Sequence, residues 1–457
     1  MSTVSQMPQE VKGGMDKPAV FSPDEIQRFR TELAARRAPG AYEPGRWSVS
    51  SYNRDPHVVG QFPSSIAFRD ATLRGIETLP GVIVTAADKA EYLRRLVRAG
   101  IAQVVTTGIQ GRSDDELRAE VELIKTENSA CTVVCPLMFS RQDIDRVADA
   151  GYDAVQVWVQ GFGETSLIYQ RIYDAAWRGE EWRTDQTPRN RQEVLARATP
   201  LVEHARSRGL AVATPMLMVS YLSVDLLQES VETLAGAGAT ELTLFDGPGG
   251  MSPEAYGYLV AKTKDISPDV QVGLHPHNTF GLGVACAVAA AKAGADVIEL
   301  SVNGYCGGPG NADLAATATA FEVLYGVATG MRLEDLTSLA RAGEALTGYT
   351  TAWNHPITGR SAFSWGGMDI ITQETTVDPL LHNCVEPAVV GNQRVVPFTP
   401  DSGPYTLATK LEALGIDASP EQVVQILAAA RERMTESGRL LDNADIEKIA
   451  RALAAPT

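Results

Sequence analysis

VQVGLHPHNTFGLGVACAVAAAKAGADVIELSV (270–302) decides how this chain folds. VQVGLH (270–275) is a short run rich in β-branched residues, the composition of a strand. GLGVACAVAAAKAGA (281–295) is alanine-rich, free of proline and marked near its end by a glycine, as a helix is. DVIELSV (296–302) is a strand again. Two mostly apolar strands joined through a helix lie parallel, because parallel neighbours need a long crossover and are covered on both faces.

The same unit recurs upstream. SSIAF (64–68), AQVVTT (102–107), TVVCPLMF (132–139), DAVQVWV (153–159), LAVATPMLM (210–218) and TELTLF (240–245) read as six more strands, making eight. AADKAEYLRRLVRAG (86–100), SDDELRAEVELIKTE (113–127) and RQEVLARATPLVEHARSRG (191–209) read as helices between them. Eight such units over residues 61–330 have the size of a (β/α)₈ barrel, or TIM barrel. The competing fold, an open doubly wound sheet, usually has fewer strands and a glycine-rich phosphate loop after the first, which is absent here.

Residues 1–60 form an N-terminal extension with one expected helix, 22–37, opened by the capping-box pair Ser22 and Glu25 and stopped by Pro39-Gly40. Residues 331–457 read as a separate, mostly helical C-terminal subdomain, with helices over 331–346, 419–438 and 442–455. The long stretch 161–190 follows strand four. In a barrel that is a loop at the catalytic face, so it is expected to be a lid or a substrate-contacting segment.

Bulk properties narrow the function. The net charge of −16 disfavours nucleic acid and anionic membrane surfaces as partners, though a local cationic pocket can still take a small anion. No run approaches the ~18 apolar residues of a membrane span. The N-terminus has no apolar signal core. The five cysteines are odd in number and scattered, which reads as reduced thiols in a cytoplasmic protein. Cys131 and Cys135 read as small core residues.

Three segments carry candidate chemistry. In GLHPHNTFGLGVA (273–285), His275 and His277 are two apart at a strand end, so both point to one face, where paired imidazoles suit a divalent metal. In NGYCGGPGNADL (303–314), Asn311 either caps the following helix, the preferred reading of the residues alone, or gives its amide oxygen to that metal. In FRDATLRGIET (68–78), Asp70 is a candidate ligand, and Arg69 and Arg74 are candidate electrophiles. A surface ion pair is an equal reading of that last motif.

Together these segments resemble the metal-dependent barrel enzymes that include the isopropylmalate, homocitrate and citramalate synthases. More distant relatives are hydroxymethylglutaryl-CoA lyase, 4-hydroxy-2-oxovalerate aldolase and the carboxyltransferase domain of pyruvate carboxylase. The family's D-x-T-L-R-D-G-E-Q, H-x-H-N-D-x-G-x-A and N-G-x-x-x-x-x-G-N read here DATLRGIET, HPHNTFGLGVA and NGYCGGPGN. The segment 356–403 follows the synthases' subdomain pattern, so the resemblance spans about residues 60–455 and leaves no room for their regulatory domain.

The resemblance implies a divalent metal (Zn, Mn, Mg or Co) held by His275, His277 and Asn311. It also implies a 2-oxo acid and an acyl-CoA as small-molecule partners, and a homodimer. In one register Arg74 is the catalytic arginine and Gly75 stands where the metal-binding Asp should be; in the other Arg69 is the arginine and Asp70 the ligand. Either way Asp70 is the nearest carboxylate. Glu77 and Asn278 are expected to touch substrate. Asp369 replaces the subdomain's histidine and His382 falls where a tyrosine is usual, so these two are the candidate acid–base residues. Strand five lacks the synthases' acidic pair. The implied activity is an acyltransferase joining an acyl-CoA to a 2-oxo acid through an enolate. A lyase or aldolase acting on a hydroxyacyl-CoA or a 4-hydroxy-2-oxo acid is one alternative, and a non-catalytic relative is the other.

Overall fold

The structure, a computed structural model, describes residues 22–60, 62–159 and 191–454. The stretch 161–190, expected to cover the catalytic face, lies outside them. Eight parallel strands close into a barrel: β1 Ala67–Asp70, β2 Gln103–Val105, β3 Thr132–Cys135, β4 Ala154–Gln156, β5 Ala211–Leu217, β6 Glu241–Asp246, β7 Gln271–Pro276 and β8 Val297–Leu300. Each falls on one of the eight runs read from the sequence. Closure is made by β8, which pairs Val297 with Ala67 on one side and Val297 with Gly273 on the other.

Helices between the strands bury one apolar stripe each. Ala86–Arg98 buries Tyr92, Leu93, Leu96 and Val97 against the barrel and opens on a Thr85–Asp88 capping box. The extension helix Pro23–Arg36 opens on the expected Ser22–Glu25 capping box. The C-terminal region is mostly helical, with Leu336–Thr347, Asp369–Val377, Pro404–Ala413, Pro420–Ser437 and Asn443–Ala454. Asp369–Val377 and Pro404–Ala413 were not legible in the sequence. The last three of these helices share a small apolar core of their own around Leu407, Ile426, Ala430 and Ile446. Phe363, Val385 and Val390 belong instead to the large core of the barrel.

The barrel interior holds a layer of ionised groups beneath the mouth, where branched apolar side chains are the norm. Arg69 is 1% exposed and forms ion pairs with Glu241 and, at 3.0 Å from its Nε, with Glu299; the latter contact lacks hydrogen-bond alignment. Thr243 donates to Glu241 at 2.6 Å, and Gln156 donates to Glu299 at 2.7 Å. Four strands therefore meet through one charged cluster. Arg69→Ala would strand two buried carboxylates, a loss of about 3–5 kcal/mol for pairs of this kind. The expected result is a large fall in the denaturation midpoint. An unchanged midpoint would show that the cluster contributes nothing to stability.

Candidate active site

Strand β7 ends in His275-Pro276-His277, and both imidazoles face the C-terminal mouth of the barrel. His275 is buried. Its Nδ1 lies 2.8 Å from Oε1 of Glu299. A carboxylate there keeps a proton on Nδ1 and turns Nε2 toward the mouth, the arrangement that orients metal-binding histidines. Phe245, from β6, stacks on the same ring at 3.9 Å between centroids and 11° between planes, and fixes its tilt.

The loop after β8 brings in a third group. Cys306 Sγ lies 3.9 Å from Nε2 of His275 and 3.7 Å from Nε2 of His277. One ligand atom from each of the three residues falls within 4.8 Å of the others. Burial pushes the Cys306 thiol up, but hydrogen bonds to both imidazoles outweigh this and bring it down to about 6. Burial likewise pushes His275 down, and its contacts with Cys306 and Glu299 hold it up at about 9.

A cavity of about 210 Å³ opens above this cluster. Arg74, Trp158, Leu217, Met218, Phe245 and Gly75 line it together with His275, His277 and Cys306. The Arg74 guanidinium sits over the Trp158 ring at 5.2 Å and lies 3.3 Å from Glu77. The Trp158 indole donates to Gln156 at 3.2 Å, which ties the cavity wall to the charged layer below. Leu137, Met218 and Asn303 all have positive φ (63°, 64° and 56°) and follow β3, β5 and β8 at this rim, where such strain often accompanies function.

Several sequence expectations change. Asp70 does not reach the histidines. Successive residues of a strand face opposite ways, and Arg69 takes the inward position, so Asp70 points outward. There its carboxylate accepts from the Thr72 amide at 3.1 Å, the Thr72 hydroxyl at 2.7 Å and the Tyr92 hydroxyl at 3.4 Å. Arg69 is consumed by the charged layer and does not line the cavity, whereas Arg74 does. Glu77 touches Arg74 and, at 3.4 Å, the Gly108 amide, outside the cavity lining. Asn278 spends its amide oxygen on the Gly283 N–H at 2.9 Å, at the start of helix Gly283–Lys292.

Asn311 does not cap the next helix. Asp313 does, accepting from Ala316 at 2.7 Å. Asn311 is instead bridged to His277, buried, and left with both side-chain amide atoms unpartnered. In the C-terminal region Asp369 accepts from the amides of Gly403, Tyr405 and Thr406 at 3.1, 3.1 and 2.8 Å, so it caps helix Pro404–Ala413 and has no free edge for catalysis. His382 lies 2.6 Å from Glu374 and against Trp365. Neither lines the cavity of its own chain. Cys306, Glu299, Glu241 and Gln156 were missed. The signal for the two glutamates was a lone charge inside each apolar strand, TELTLF and DVIELSV.

A parallel eight-stranded barrel with its convergent polar cluster at the C-terminal rim is the layout of (β/α)₈-barrel enzymes. The chain belongs to the HMGL-like family, whose model matches residues 65–342. It is 31% identical over 402 residues (87% of this chain, 74% of the relative) to a Methanopyrus kandleri protein provisionally named an (R)-citramalate synthase. It is 27% identical over 415 residues (90% and 99%) to a homocitrate synthase of Methanothermobacter thermautotrophicus. The barrel also superposes on a hydroxymethylglutaryl-CoA lyase of Acinetobacter baumannii, solved with coenzyme A and 3-methylmalate, with a TM-score of 0.52 at 19% identity over 65% of this chain and 94% of that one.

Two expectations follow. Burial raises the Asp70 carboxyl to about 7, against roughly 3.9 when unfolded. The folded chain therefore holds this proton more tightly, and the group's contribution falls as pH rises from about 4 to about 7. Asp70→Asn should flatten that part of the curve of melting temperature against pH; an unaltered slope counts against the shift. At Gly75 an added Cβ would lie 2.3 Å from the Tyr305 carbonyl oxygen and 3.2 Å from Cys306 Cα. Gly75→Asp should cost about 1–3 kcal/mol, the usual scale of overpacking, seen as a lower denaturation midpoint.

Proposed function

We propose that this enzyme is a metal-dependent acyltransferase that joins an acyl-CoA, of the acetyl-CoA kind, to a small 2-oxo acid. The observation that carries this reading is the convergence of two imidazoles, the Cys306 thiol and Arg74 on one small cavity at the barrel mouth. The unpartnered side-chain amide of buried Asn311, a residue whose backbone pairs with that of His277, fits a cation beside the pair. His275 and His277 would hold the metal, which when bound supplies Lewis acidity to the substrate's 2-oxo carboxylate.

Arg74 faces the same space and would stabilise negative charge growing on the carbonyl oxygen. Trp158 and Glu77 keep its guanidinium in place. Among the described residues the rest of the lining is mainly apolar (Trp158, Leu217, Met218 and Phe245, with Thr78 the one hydroxyl), and Arg74 is the one Arg or Lys in it. The preferred 2-oxo acid therefore has a short apolar side chain and no second carboxylate. Cleavage of a hydroxyacyl-CoA or 4-hydroxy-2-oxo acid is the second reading. It is favoured by one feature: the only carboxylate among the described lining residues, Glu299, is already engaged by His275, Gln156 and Arg69 and is not free as a base.

The segment around Asp369 and His382 is assigned to a contact with a second copy. Trp353 (68% exposed), Ile370 (55%) and Leu381 (59%) present large apolar surface on the segment that carries Asp369 and His382. Such surface suits a homodimer contact, and a cytoplasmic dimer is the form we assign.

The test is release of free CoA from acetyl-CoA in the presence of each of a series of 2-oxo acids, with a divalent metal supplied. Turnover is expected with short monocarboxylic 2-oxo acids. Arg74→Gln should lower kcat by about 10²–10³-fold, the scale for losing one oxyanion donor, with the melting temperature preserved. Release of pyruvate from 4-hydroxy-2-oxo acids without any condensation would select the cleavage reading. No turnover of either kind would leave a binding protein.

A further inference from the structure

In this family's strand-one motif, as the sequence resemblance presents it, a carboxylate follows the arginine; this chain has Gly75 there. The space a side chain at 75 would need is filled by backbone. Its Cβ would stand 2.3 Å from the Tyr305 carbonyl oxygen and 3.2 Å from Cys306 Cα. Glycine at 75 is thus what lets the loop after β8 settle against the end of β1. That settling carries the Cys306 thiol to the two imidazoles, at 3.9 and 3.7 Å from their Nε2 atoms.

We propose that Cys306 supplies the anionic ligand that position 75 no longer can, making a His275–His277–Cys306 centre that selects zinc over magnesium. The proposal rests on the reading that His275 and His277 hold a metal.

Three facts support it. The sulfur–nitrogen separations agree with a tetrahedral site, where metal–sulfur and metal–nitrogen bonds of about 2.3 and 2.0–2.1 Å put ligand atoms roughly 3.6 Å apart. Thiolate with imidazole favours zinc, whereas magnesium takes oxygen ligands. The buried Asn311, whose backbone pairs with that of His277 and whose side-chain amide is unpartnered, offers a neutral group for a further position. The carboxyls of the strand-one motif are taken elsewhere: Asp70 is turned away and hydrogen-bonded to Thr72, and Glu77 is paired with Arg74.

The experiment is spectroscopic and needs no turnover. The purified full-length chain, stripped and loaded with Co²⁺, is expected to show a near-ultraviolet thiolate-to-cobalt charge-transfer band. Cys306→Ser should abolish the band and weaken metal binding by about 10-fold or more, since even indirect partners of a site are worth 10–100-fold. Cys306→Asp should bind metal without the band and shift preference from Zn²⁺ toward Mg²⁺ and Mn²⁺ in competition. Asp70→Asn should leave the band unchanged. Cobalt bound by the unaltered chain without the band overturns the role of Cys306 and leaves the histidine reading standing. Failure of the unaltered chain to bind cobalt at all overturns both. An unshifted preference in Cys306→Asp counts against selection by the thiolate.

Discussion

The hydrogen bond between His275 Nδ1 and Glu299, 2.8 Å long and buried, is the contact on which the rest of the mouth depends. It fixes which ring nitrogen faces the mouth. Glu299 can do this only because it is itself held, by Gln156 from β4 and Arg69 from β1. Arg69 in turn is shared with Glu241 on β6. Four barrel strands thus set the direction of one imidazole lone pair. A layer of this kind forgoes hydrophobic stabilisation and requires every charge to be paired. What it gives in exchange is a ring that cannot turn, and Phe245 stacked on its face adds a second restraint.

The mouth is completed by close backbone approach. Gly75 admits the Tyr305–Cys306 segment, and Gly283 lets the helix after β7 begin against Ala312, whose Cα and N would lie 3.1 and 3.2 Å from an added Cβ. The loop after β8 is therefore clamped between the ends of β1 and β7. Asn303 holds a left-handed conformation at its start, with its amide donating to the Ala340 carbonyl at 2.8 Å. That bond joins the rim to helix Leu336–Thr347, so the C-terminal region is tied to the site through the same loop that carries Cys306.

Much of this was legible from the chain alone, and the remainder failed for identifiable reasons. The eight strands followed from local composition and spacing, which depend on nothing distant. The histidine pair followed from the two-residue period of a strand. Asp70 failed on that same period: of Arg69 and Asp70 only one can face inward, and which one is set by the pairing of β1 with β2 and β8. Asn311 was read as a cap because the helix start lies two residues further on, at Asp313. Cys306 was passed over because its partners are about thirty residues away in the chain. Asp369 was placed in catalysis by the position it occupies in a motif, while the helix it caps, Pro404–Ala413, was itself invisible.

The electrostatics of the mouth explain how a cysteine can stand where a carboxylate is usual. Arg69 is set against two buried carboxyls: burial raises Glu241, whereas His275 and Arg69 hold Glu299 down. Against the pull of burial, Cys306 and Glu299 hold the second proton of His275 up to about 9. A dication at the imidazole pair would displace that proton, as metal binding to histidine generally does. A thiolate opposite keeps the anion count that an aspartate would have given, while its softer sulfur changes which cation fits. On the proposed reading, the charge balance needed to polarise a 2-oxo acid would survive the substitution, whereas the choice of metal would not.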